Sequence, residues 1–172
     1  MKLMSLLVVG SIALFSRDAP GSDEPLNGEG YAYFGRMSSK QDSGYAMLMG
    51  VGGNGYVYRG LYAGAEIGYL AYRDAFNRGI GRSFVNVGYS VVNRESPGWV
   101  VPFAEFGMGG YFRNGGVWVM KAGGGATVWV HRNLGIRGAA FWEQPVYSGL
   151  YFYHNYYGGT SVAIGVAFKL TD

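Results

Sequence analysis

Seven ionisable side chains stand where charge is least expected. Glu105 in "AEFGMGG", Lys121 in "VMKAGGG" and Arg137 in "GIRGAAF" each interrupt a run of apolar residues and glycines, and Arg36, Glu66, Arg82 and Glu143 recur in similar settings. An ion taken out of water costs several kcal/mol unless it is paired, so acids and bases in such runs point to mutual neutralisation inside an enclosure. The rest of the chemistry-bearing inventory is thin. His154 in "YFYHNYY" lacks the serine two places on that a His-x-Ser arrangement would supply, and catalysis needs a positioned nucleophile and base. It reads as a loop histidine, and His131 in "HRN" as a solvated turn residue. There is no cysteine, which removes disulfide frameworks and thiolate metal sites. "GGNG" at Gly52 and "GGG" at Gly123 lack the Lys-Ser/Thr of a nucleotide loop and read as strand glycines. Tyr147, Tyr151, Tyr153, Tyr156 and Tyr157, with His154 among them, form an aromatic stretch that could contact a surface ligand or rest at an interface. No catalytic residue, metal or cofactor is expected, and the chain is not read as an enzyme.

The elements that must position these charges have a period of two. Eight apolar or aromatic runs, over about 31–38, 44–58, 60–73, 80–93, 99–113, 117–130, 133–144 and 158–170, alternate with Gly/Asn/Asp/Pro/Ser clusters, as antiparallel strands joined in series do. Successive side chains of a strand point to opposite faces. In the sixth run Trp118, Met120, Ala122, Ala126 and Val128 oppose Lys121, Gly123, Gly125 and Thr127, and the fifth, seventh and eighth split the same way. The third and fourth set Glu66 and Arg82 against Ile67 and Val85, and the first is read with Arg36 opposite Tyr33 and Met37.

One face is therefore apolar, and the other holds glycines with roughly one charge per strand. A water-soluble barrel would need far more polar residues outside; in lipid the apolar face turns outwards and closure satisfies every backbone group. The expectation is an all-β, eight-stranded antiparallel up-and-down transmembrane β-barrel over residues 31–170. Its lumen would hold a charge network of Arg36, Glu66, Arg82, Glu105, Lys121, Arg137 and Glu143. An eight-stranded barrel is only wide enough for its side chains to fill, so no open pore is expected. Lipid-face aromatics divide into Tyr31, Tyr33, Tyr89 and Phe168 toward one rim and Tyr45, Tyr69, Phe112, Trp118 and Trp142 toward the other, as interfacial girdles would. Longer connections are expected at "RDAFNRGI" and "QPVYSGLYFYHNYY", on the rim away from the termini.

Bulk properties agree. Charged residues make up 15% of the 172 against about 25% usually, and 31 are glycine. The net charge of +3 comes from scattered cations, which argues against nucleic acid. "MKLMSLLVVGSIALFS" places Lys2 before an apolar run too short for a spanning helix, the order of an export signal. Residues 1–21 are read as a signal peptide and 22–30 as a short polar segment.

The stretches "GVGGNGYVYRGLYAGAEIGYL", "GGGATVWVHRNLGIRGAAF" and "GTSVAIGVAFKL" resemble the small bacterial outer-membrane β-barrels of the outer-membrane protein A, W and X type. The resemblance covers most of residues 31–170 and implies a Gram-negative outer membrane, both termini periplasmic, with lipid, lipopolysaccharide and the barrel-assembly machinery as partners. Family barrels often end in an aromatic; here Phe168 is followed by Lys169, Leu170, Thr171 and Asp172. The roles implied are structural or surface interaction first, then a porin-like conduit for small apolar molecules, then a lipid-modifying enzyme.

Overall fold

The computed structural model describes residues 28–39, 45–58, 60–72, 75–91, 100–112, 116–131, 133–147 and 158–170. The expected signal peptide and Tyr151, Tyr153, His154, Tyr156 and Tyr157 lie outside them. The eight strands are β1 (Gly28–Ser39), β2 (Tyr45–Tyr58), β3 (Leu61–Tyr72), β4 (Ala75–Ser90), β5 (Val100–Phe112), β6 (Gly116–Trp129), β7 (Leu134–Tyr147) and β8 (Gly159–Leu170). Each pairs antiparallel with the next, and β1 pairs with β8 from Gly28↔Leu170 to Ser39↔Gly159, so the sheet closes with no free edge. At about 3.4 Å per residue and about 40° of tilt, strands of 12 to 16 residues exceed the ~25 Å apolar band of a transmembrane barrel.

Two strands start well before expectation, β4 ends three residues early at Ser90, and β7 runs on three residues to Tyr147. β1 begins at Gly28, drawing Glu29 and Gly30 out of the polar segment, and β4 begins at Ala75, which pairs with Tyr72 of β3 beyond a register shift that follows Leu70↔Ile80. The connection after β3 is thus only 73–74, whereas the one after β4 spans 91–99. Long connections therefore occur at both ends of the barrel. The turn into β3 needs glycine: Gly60 has φ 89°, which other residues rarely adopt. Its carbonyl accepts the amide of Ser90 at 2.8 Å.

The outward face is apolar: Val85, Trp118 and Ile164 are 67%, 65% and 61% exposed. These belong in hydrocarbon. The inward face divides into two layers. Toward the end opposite the termini, Met37, Leu48, Leu70, Ile80, Phe84, Tyr111, Val117 and Val119 pack into one buried apolar cluster. Charged residues fill the middle and the terminal end.

Candidate functional site in the barrel lumen

Seven buried ions form one chain across the lumen. Glu29 binds Arg137 at 2.7 Å, Arg137 reaches Glu105 at 3.5 Å, and Glu105 binds Lys121 at 2.8 Å. Lys121 binds Glu66 at 2.9 Å, Glu66 binds Arg82 at 2.6 Å, and Arg82 binds Glu143 at 3.1 Å. Only Glu105–Lys121 and Glu66–Arg82 join hydrogen-bonded neighbours, β5 with β6 and β3 with β4; the other links span non-adjacent strands. Neutral groups extend the chain. Asn54 of β2 donates to Glu29 at 2.9 Å, and Ser161 of β8 donates to Glu143 at 2.6 Å. Every strand thereby reaches the network.

Tyrosines complete the carboxylates. Tyr62 donates to Glu105 at 3.0 Å, Tyr31 to Glu66 at 3.4 Å, Tyr56 to Glu29 at 3.4 Å, and Tyr111 to Glu143. The cations also lie over rings, Arg137 at 3.6 Å from the Phe103 centroid and Lys121 at 4.5 Å from that of Phe141. A desolvated cation over an aromatic face gains about 2 kcal/mol. Glycines make room for these groups. A Cβ on Gly107 would meet Lys121 Cε at 2.8 Å and also Asn86 Oδ1.

The structure places Glu66, Arg82, Glu105, Lys121, Arg137 and Glu143 together in the lumen, each buried. Arg36 does not join them: it is exposed on the outer face. Tyr31 and Tyr33, expected in a lipid-face girdle, point inward, and Phe34, 50% exposed, takes the outward place. The cause is the register of β1. Strand parity lets Arg36 or Glu29 face the lumen but not both, and Glu29 has Arg137 to neutralise it. The acid that sequence reasoning missed is Glu29, whose signal was its shared parity with Tyr31 and Tyr33. Tyr45, Phe112, Trp118 and Trp142 do face outwards near one rim and Tyr89 and Phe168 near the other. His131 lies exposed in the turn between β6 and β7. Tyr147 ends β7, and the other loop tyrosines with His154 are beyond the described residues.

An internal cavity of about 30 Å³ remains beside Tyr31, Tyr33, Glu66, Arg82, Glu105 and Arg137. At about 10–15 Å³ per water, it has room for two or three.

This is the fold of the small outer-membrane β-barrels. The N-terminal β-barrel domain of Pseudomonas aeruginosa OprF matches with TM-score 0.62 and 13% identity, over 83% of this chain and 96% of that one. Neisserial surface protein A (NspA) matches at 0.57 and 11%, over 83% and 96%. A de novo designed transmembrane β-barrel matches at 0.55 and 20%, over 86% and 98%. No family model matches the sequence, and neither does any curated protein. A designed chain sharing the fold shows how little the architecture says about role.

Proposed function

We propose that this protein resides in a bacterial outer membrane as a closed barrel with a structural or surface-interaction role and no enzymatic activity. One observation carries the reading: the lumen is occupied from wall to wall by the Glu29–Arg137–Glu105–Lys121–Glu66–Arg82–Glu143 chain, with an apolar layer beyond it. Such an interior gives the wall rigidity and offers solutes no path. The termini then face the periplasm, and the connections at 40–44, 73–74, 113–115 and 148–157 face outwards, available for contact. Tyr147 ends β7 at that rim, and the sequence beyond it, with Tyr151, Tyr153, Tyr156 and Tyr157, lies outside the described residues. The porin-like conduit reading would need an opening that the 30 Å³ cavity does not supply.

The test is conductance in planar bilayers, with folding verified by heat-modifiable gel migration. Folded protein should give no stable steps above the bare membrane. Regular open steps would remove the closed-barrel reading. Lipid A composition should be unchanged between cells carrying the wild type and His154→Ala; a protein-dependent modification lost in that variant would make the chain an enzyme.

A further inference from the structure

Arg36 is an exposed cation on a wall otherwise built to face hydrocarbon, and its surroundings are specific. Its cross-strand partners are Met47 on β2 and Val162 on β8, both on the outer face. Two residues further along β1, Ser38 pairs with Tyr45 on one side and Thr160 on the other, and Thr160 pairs with Trp142 of β7. Trp142, Thr160, Ser38 and Tyr45 thus form one row across four strands, all exposed, with Arg36 about 7 Å along the strand beneath it. The row is two hydroxyls between two girdle aromatics. The Ser38 hydroxyl is turned along the wall to the Thr160 carbonyl at 3.2 Å. No carboxylate among the described residues forms an ion pair with Arg36.

A guanidinium in this place, with no protein carboxylate among the described residues paired to it, is open to an anion of the membrane. Planar donors suit a phosphate, the hydroxyls suit a sugar, and the flanking rings suit the boundary between head groups and acyl chains. We propose that Arg36, Ser38 and Thr160, between Tyr45 and Trp142, form a binding notch for a phosphorylated glycolipid of the outer leaflet. The proposal rests on the outward orientation of this rim given above.

Native mass spectrometry of the whole protein, released from detergent with bis-phosphorylated lipid A, tests it. Wild type should retain one lipid, and Arg36→Gln and Arg36→Met should each retain about five-fold less. Arg36→Lys should fall between, Lys169→Gln at the opposite rim should match wild type, and the paired change Ser38→Ala with Thr160→Val should weaken retention. Folding of each variant is checked by heat-modifiable migration. Equal retention by wild type and both Arg36 variants would overturn the notch; so would equal retention of dephosphorylated lipid A, or of phosphatidylglycerol, by the wild type. None of these outcomes bears on conductance, so the notch and the closed lumen stand or fall separately.

Discussion

Lys121 is the residue on which the lumen turns. It is fully buried and is held at 2.9 Å from Glu66 and 2.8 Å from Glu105. Removing the ammonium leaves two buried carboxylates without the cation they share, with only Arg82 on Glu66 and Arg137 on Glu105 to offset them. Breaking a buried ionic group by deleting one member typically costs about 3–5 kcal/mol, far more than an exposed pair. Lys121→Met should therefore lower the unfolding free energy by about that amount in urea titrations of protein refolded into lipid vesicles, followed by tryptophan emission. A loss under about 1 kcal/mol would show that the ions merely fill space. Arg36→Gln should leave the same urea midpoint close to that of the wild type, because Arg36 faces outwards near a rim, where charge on the wall costs little. The two cations looked alike in sequence, each set among apolar neighbours; their burial separates them.

At the scale of the strand, alternation made most of the barrel legible. β5, β6 and β7 each carry charge and glycine at one parity and large apolar residues at the other, so their faces follow from Glu105, Lys121 and Arg137 alone. β1 offers no such contrast. Its lumen side bears Glu29, Tyr31, Tyr33 and Met37, its outer side Ala32, Phe34 and Arg36, and charge by itself points the wrong way. What decides is a partner two strands away, Arg137 on β7, which no local pattern reveals. The division of the lumen into ionic and apolar layers was hidden for the same reason, since Leu48, Leu70 and Ile80 meet only through the register of β2, β3 and β4. Glycine position, in contrast, carries a prediction specific to one strand crossing. Gly107 on β5 faces Lys121 across its pairing with β6, and a methyl there would meet Lys121 Cε at 2.8 Å. Gly107→Ala should cost about 1–3 kcal/mol by overpacking. Gly116→Ala, where the nearest atom to a new Cβ is Phe112 Cδ1 at 4.0 Å, should shift the urea midpoint little. Equal midpoints for the two variants would mean that the lumen repacks freely around β5.

For the molecule as a whole, the closed barrel proposed above predicts that the two layers act as seals in series. The ionic chain holds four carboxylates and three cations, and removing the Glu66–Lys121–Glu105 triplet leaves Arg82–Glu143 and Arg137–Glu29 as two balanced pairs. That triplet crosses the lumen from β3 through β6 to β5, so replacing all three members by alanine opens the ionic layer without stranding a charge. The apolar layer then still stands between the lumen and the rim opposite the termini. Alanine at Leu48, Leu70 and Val119 thins that layer while leaving the ions in place. Each triple variant alone should remain non-conducting in planar bilayers, and the combination of both should give discrete steps, provided heat-modifiable migration shows all three folded. Steps from the apolar-layer variant alone would mean that the ions do not seal, and steps from the ionic variant alone would reduce the apolar cluster to wall packing. A silent combined variant that still shifts on the gel would place the seal elsewhere, in the tyrosines Tyr31, Tyr62 and Tyr111, which line the lumen at different depths and donate to its carboxylates.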